Sequence, residues 1–450
     1  MITDISGDPV GISASRSSLG RGAFPYQTSR YFSLGERPVT PRTDQGLSVL
    51  GLDRVVRLTM SVAPQGRGSL ASQVEEVLAT MEDILERQAE KMSVTVQSVF
   101  VRSPEEVGEC RRLFARHFGS LMPVTNFVPQ PPCCGAALAV EAWAVGGPDA
   151  KVRYLGPNLV TVAYDGIRWI HCAGVMPSAK TAHGQSAEAF ESMRGLLATV
   201  GASFDQVVRT WLYLGGITAE EDGLERYREL NRARTDFFEG IRFGGNGLAS
   251  SGGSSFYPAS TGIGTLGRGL VTACLALQTS RRDVRLLPLE NPLQTPSYCY
   301  EKKFSMKSPK FSRAMALVLG NYVTTWVSGT ASIVNSETRH PGDIERQTGQ
   351  TIDNIECLIS KGNFGRQGLR GAGATLADLA KVRVYIKRPE DYAKCREVCE
   401  RRLGRLPTIY AFADVCRPDL LVEIEGVAFS TIKNEPVNRE DSPADYLTDP

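Results

Sequence analysis

The chain has 450 residues, 42% hydrophobic and 22% charged, the balance of an ordinary globular protein. A net charge of +2 gives no footprint for nucleic acid or an anionic membrane surface, and no apolar run approaches the roughly 18 residues of a membrane span. At this length one core has stopped growing, so two or three domains are expected. The opening residues, MITDISGDPVG, lack the basic and apolar regions of a signal peptide, and the expected location is cytoplasmic. The ten cysteines are scattered, with only Cys133-Cys134 and Cys395/Cys399 close together. The four histidines show no short His-x-His spacing, so buried reduced thiols are expected, with no metal.

Residues 1–47 are rich in Ser, Gly, Pro and Arg without periodicity and read as an irregular arm. A first unit spans 48–147. It opens on the strand DRVVRLTMSVAP and continues into a helix in which Val74, Val77, Leu78 and Met81 fall at i, i+3, i+4 and i+7. Ser69 is placed to cap that helix. A strand, a second helix and two strands ending in ALAVEAWAV complete the unit, and 146–157 reads as a Gly/Pro linker. The same order recurs over 155–282, with Phe190, Met193, Leu196 and Leu197 on one helix face. After a linker at 283–310 it recurs again over 311–432, where Asp343 is placed to cap a helix. The tail 433–450 is acidic, contains Pro and reads as disordered. The expected fold class is therefore α+β, with three tandem β-β-α-β-α-β-β units. Each unit leaves one sheet face apolar, and three units can bury those faces against one another.

The chemistry converges on 406–430. Its last strand carries Glu423 and Glu425 two residues apart, hence on one face, after a turn holding Cys416 and Arg417. Such a carboxylate is either half of a structural ion pair with Arg417 or a poised acid. Elsewhere, GIGTLG (262–267) leads into a strand and lacks the βαβ context of a dinucleotide site. The Gly-rich stretch 362–373 reads as a solvated loop.

The unit order, with TLADLAKVRVYIKRPEDYAKCREV followed by LVEIEGVAF, resembles the Rid (YjgF) family, whose members are homotrimers with sites at subunit interfaces. Three units in one chain then imply an intramolecular pseudo-trimer. Over 158–430 the motifs YPASTGIG, LENPLQTPSYCY, SGTASI, ETRHPGDIERQT and CRPDLLVEIEG resemble the chorismatases, which hydrolyse chorismate without a cofactor. The resemblance implies cleavage of an enolpyruvyl ether to pyruvate and a hydroxylated ring carboxylate, between units two and three. Glu423 is then the general acid. Arg209, Tyr213 and Arg417 are expected to bind substrate carboxylates, Tyr257 and the Ser328-Gly329 backbone its oxygens, and Cys416 to shape the pocket or act on the ring. The implied partner is a small-molecule carboxylate, with no nucleic acid or membrane, and the chain is expected to be a monomer or weak homo-oligomer.

Two other readings are a Rid-type imine or enamine hydrolase and a non-catalytic small-metabolite binder. The first is disfavoured because the Arg that Rid deaminases place two residues beyond a Pro is Thr125, Ser260 or Ile409 here. The terminal glutamate of the family is expected as Glu423 in unit three and Glu141 in unit one, with Thr272 in unit two. At Tyr298-Cys299-Tyr300 chorismatases carry Tyr-Arg-Tyr, and loss of that cation argues against a dicarboxylate substrate.

Overall fold

The computed structural model describes residues 42–44, 46–52, 54–244, 249–250, 256–300 and 307–432. Most of the expected arm and the acidic tail lie outside them. The repeated pattern folds into three mixed sheets of one topology. In the first, Leu47–Leu52, Val55–Val62, Leu138–Gly146, Met92–Val101 and Val124–Val128 lie side by side in that order. In the second the corresponding strands are Leu159–Tyr164, Ile167–Val175, Leu270–Thr279, Val207–Gly215 and Ala259–Thr265. In the third they are Ala314–Leu319, Tyr322–Ala331, Val422–Thr431, Leu379–Ile386 and Thr408–Phe412. Within each of these five-strand runs only the last pair is parallel, because a helix intervenes between its strands and makes the crossover a parallel pair needs.

The helices begin where the sequence signals them. Ser69 Oγ accepts from Ser72 N at 3.3 Å and Asp343 Oδ1 from Arg346 N at 3.0 Å, each satisfying an amide the first turn leaves open. Val74, Val77, Leu78 and Met81 are buried against the first sheet with Phe114 of the Val107–Phe118 helix. The opposite sheet faces meet one another. Phe100, Val128 and Ala139 share a core with Tyr213, Ile263 and Val271 and with Tyr385, Ile409 and Ala411. No helix among the described residues is long and apolar enough to cross a membrane.

Three stretches differ from the sequence reading. The linker 146–157 contributes the strand Lys151–Tyr154, which pairs with Leu159–Tyr164. The linker 283–310 contributes Arg285–Leu289, an extension of the third sheet alongside Ala314–Leu319. The Gly-rich stretch is not a solvated loop. It overlaps a short helix, Lys361–Arg366, capped by Ser360 and anchored by buried Phe364 and Ala372.

A bulge at one place in each sheet fixes the correspondence between units. Pairing to the central strand skips one residue between Val94 and Val96, between Val207 and Arg209, and between Leu379 and Lys381. Ser98, Trp211 and Arg383 are therefore equivalent, as are Phe100, Tyr213 and Tyr385.

Candidate active site

The site is built on a second irregularity. In the Tyr322–Ala331 strand the register to Val422–Thr431 slips between Val327 and Thr330, which frees Ser328 and Gly329 from the ladder. Ser328 Oγ donates to Ser312 O at 2.7 Å and accepts from Ser260 N at 2.9 Å, while Gly329 N donates to Thr261 Oγ1 at 3.0 Å. The bulge thus joins the third sheet to the edge strand of the second. Beneath it lies Glu423, in register with Ala331 and Tyr385. A Cβ on Gly329 would overlap Glu423 Oε1, so only glycine leaves that carboxyl its place. Gly329→Ala is expected to lower stability by roughly 1–3 kcal/mol, the cost of overpacking. Gly349→Ala, at a helix position with nothing within 4 Å, is expected to leave stability unchanged or raise it. Urea midpoints of the two variants check the pair.

Glu423 faces a cavity of about 470 Å³ between the second and third sheets. Burial pushes its pKa up to about 8, and the neighbouring Glu425 carboxylate adds to the rise against the pull of Arg209 and Arg313. Glu425 has the opposite fate. Burial would raise its pKa too, but Arg383, Arg209 and Lys381 outweigh it and hold the group below the usual carboxylate range. Glu425 Oε1 accepts from Arg383 Nη1 and Tyr385 Oη, each at 2.9 Å, and Oε2 accepts from Trp211 Nε1 at 3.0 Å, from Thr261 Oγ1 and from the Arg209 guanidinium. Two carboxyls two residues apart are therefore one protonated and one ionised near neutral pH, the division acid catalysis uses.

Guanidinium groups supply the opposite wall. Arg234 is fully buried and lines the cavity; Nη2 donates to Asn231 Oδ1, and Nε has no partner among the described residues. Arg313, also buried and lining, donates through Nη2 to Thr295 O at 3.0 Å and Tyr300 Oη at 2.6 Å, and its Nε likewise has no such partner. Arg417 donates to Ser336 O at 2.8 Å and lies 5.5 Å from the Tyr300 ring centre. The Cys416 thiol is pushed up to about 12 by burial and is neutral.

The sequence-predicted residues divide between the cavity and the scaffold behind it. Glu423, Gly329, Cys416 and Arg417 line the cavity. Arg209 and Tyr213 do not: Arg209 pairs with Glu425, and Tyr213 Oη accepts from Arg383 Nη1 at 2.6 Å, so both belong to a closed ionic cluster. That also corrects the pairing of Glu425, which is with Arg209 and Arg383 and not with Arg417. The Ser328 hydroxyl is spent on Ser312 and Ser260. The Tyr257 ring lies 5.6 Å from that of Tyr298, tilted at 51°, and does not line the cavity. Cys299 is exposed and does not line the cavity, although its neighbour Tyr300 does.

Sequence reasoning missed Arg234, Arg313, Tyr227 and Tyr300. For Arg234 a signal existed, since Leu230, Arg234 and Phe238 follow at i, i+4 and i+8 and put a guanidinium on a buried stripe.

The family model described as chorismatase FkbO/Hyg5-like, N-terminal, matches residues 141–276. A 3-hydroxybenzoate synthase of Streptomyces hygroscopicus is 35% identical over 295 residues, covering 64% of this chain and 80% of that protein. A chorismatase of Streptomyces rapamycinicus is 33% identical over 298 residues, with 64% and 81% covered. The chain belongs to the chorismatase family. A crystal structure of a chorismatase shares the fold at 22% identity with a TM-score of 0.60, covering 84% of this chain and 99% of that one. An alignment of that extent is not confined to 148–450 and takes in part of the first unit.

Within this chorismatase-family chain the register also corrects the expected glutamates. Glu141 opposes Ser98 and Glu425 opposes the equivalent Arg383, so Glu141 is the counterpart of Glu425. The positions equivalent to Glu423 are Ala139, opposite Phe100, and Val271, opposite Tyr213. Glu141 is bound by Lys381 and Arg383, which outweigh burial and hold its pKa down to about 2. It is no second acid. One of the three units carries a protonated carboxyl at this place.

Proposed function

We propose that this protein cleaves the enolpyruvyl ether of chorismate, or a closely related enol ether, to pyruvate and a hydroxylated ring carboxylate. The three units would act as an internal trimer, with one working site between the second and third and no need of a second chain. The observation that carries this reading is Glu423: a buried carboxyl held protonated near neutrality, facing a cavity walled by guanidinium groups. The names of the relatives, chorismatase and 3-hydroxybenzoate synthase, point the same way.

The reaction needs a proton on the methylene carbon of the enol ether. Glu423 gives that proton, the ether oxygen stabilises the resulting oxocarbenium carbon, and water adds there. The hemiketal then expels the ring oxygen, which takes up a proton, and pyruvate leaves; the sum is addition of one water across the ether. A positioned acid of this kind is worth about 10²- to 10⁴-fold in rate. Arg234 and Arg313, buried on the cavity wall and each with an Nε–H that has no partner among the described residues, would hold the substrate carboxylates so that the methylene carbon meets Glu423. The neutral Cys416 thiol beside it would shape the ring pocket.

Purified protein is expected to release pyruvate from chorismate, with the ring product followed by chromatography. No pyruvate from chorismate or its enol-ether relatives overturns the reading. The sign of the pH dependence follows from the acid. The protonated form is active, so kcat/KM is expected to be level below pH 8 and to fall about tenfold per unit above it.

A further inference from the structure

All four tryptophans of the chain, Trp143, Trp169, Trp211 and Trp326, line one other cavity, which lies where the three sheets face each other and shares no residue with the Glu423 cavity. On the measure that gives the Glu423 cavity about 470 Å³ it has about 60 Å³. At roughly 10–15 Å³ per water that is room for about four or five waters, the bulk of one small ring.

Its polar equipment is only partly spent, the Arg57 guanidinium hydrogen-bonding the Tyr164 phenol. Arg57 is 8% exposed, and its guanidinium lies 4.8 Å from the Trp169 ring centre, 4.9 Å from Phe429 and 5.5 Å from Trp143. Among the described residues no carboxylate pairs with it. A buried cation without a counter-charge is costly, and aromatic faces offset only part of that cost. The surrounding charges do not supply the balance either. Glu141, the carboxylate on this wall, is shared between Lys381 and Arg383, and Glu425 behind it between Arg209 and Arg383, so cations outnumber anions. His171, also on the wall, is neutral, its pKa lowered to about 3 by burial and by Arg57. Two further buried groups on the wall lack partners: the Trp169 Nε1 donor and the Gln97 Oε1 acceptor. Arg57 also borders a smaller void of about 20 Å³ that is lined in part by half-buried Tyr322.

We propose that this cavity is a second ligand site, for a small planar aromatic carboxylate bearing a ring hydroxyl. The carboxylate sits on the Arg57 fork with Trp169 N–H as a further donor, the ring lies among the indoles, and the hydroxyl donates to Gln97 Oε1. Such a ligand is of the same class as the ring product proposed above, but the site stands on its own geometry and its test involves no turnover.

No tryptophan lines the Glu423 cavity, so intrinsic tryptophan fluorescence reports on this site. The full chain is titrated with 3-hydroxybenzoate, with absorption by the ligand corrected against free tryptophan amide. A saturable change is expected, retained in Arg313→Gln, which alters the Glu423 cavity alone. Affinity is expected to fall at least tenfold in Arg57→Gln. The same loss is expected in Ala273→Val, which narrows the cavity without touching a charge and serves if Arg57→Gln does not fold. Benzoate, lacking the hydroxyl, is expected to bind several-fold more weakly. Three results overturn the proposal: no fluorescence change in the wild type, a change lost in Arg313→Gln, or a change that survives unweakened in Ala273→Val.

Discussion

Glu423→Gln is expected to abolish pyruvate release, a loss of about 10²-fold or more in kcat with KM for chorismate little changed. The amide keeps the shape of the protonated carboxyl and fits beneath Gly329, but it has no proton to give to carbon. The same substitution is expected to stabilise the fold. An acid whose folded pKa is raised from 4.5 to about 8 makes stability fall as pH rises between those values, because the folded state holds the proton the unfolded state has lost. Glutamine removes that penalty. The variant should therefore match the wild type below pH 4.5 and exceed it at pH 7 by on the order of 2–3 kcal/mol. Urea unfolding at pH 4.5 and pH 7, beside the pyruvate assay, separates the outcomes. A variant that is inactive but not stabilised at pH 7 would mean that Glu423 is ionised in the folded protein and acts as something other than an acid. A variant with full activity removes Glu423 from the mechanism.

How far the site was legible in the sequence depends on which step of folding decides each residue. Alternation along a strand is local, so Glu423 and Glu425 could be placed on one face from spacing alone. What faces them is decided by how three sheets dock, which spacing does not contain. Arg209 and Tyr213 share a face as expected, but that face meets Glu425 and Arg383 and not a substrate. Bulges have a sharper effect, since one skipped residue changes the count on which any comparison between units rests. Counting along the last strands without the bulges set Glu141 beside Glu423 as the family's terminal glutamate. The observed register matches VEAWAV of the first unit to IEGVAF of the third, a pairing equally plain in the letters once the bulges fix it. Arg313 could not be found in this way. It precedes its strand in irregular chain, and its direction is set by Thr295 and Tyr300, which the sequence reading had placed in a linker.

The largest loss of stability is expected at Arg383. Its five N–H groups are matched by five bonds: Nε to Glu141 Oε2 at 2.8 Å, Nη2 to Glu141 Oε1 at 2.8 Å and Ser98 Oγ at 3.1 Å, and Nη1 to Tyr213 Oη at 2.6 Å and Glu425 Oε1 at 2.9 Å. These partners come from all three sheets, so one side chain ties the units together. Arg383→Met leaves Glu141 to Lys381 and Glu425 to Arg209, each buried and stripped of the hydrogen bonds Arg383 gave it, and is expected to cost about 3–5 kcal/mol. The urea midpoint at neutral pH measures that cost. An acid titration followed by circular dichroism tests its cause. Glu141 and Glu425 have depressed pKa values, so their contribution is present above 4.5 and is lost as pH falls, for Glu141 through about 2. Without Arg383 both pKa values move up, and acid unfolding should begin at higher pH. Replacing Arg383, Glu141, Glu425, Lys381 and Arg209 together by Met and Leu should recover much of the loss, because the penalty lies in buried charges left short of partners and not in the absence of the cluster. If that five-residue variant is no more stable than Arg383→Met, the cluster stabilises the docking of the units in its own right.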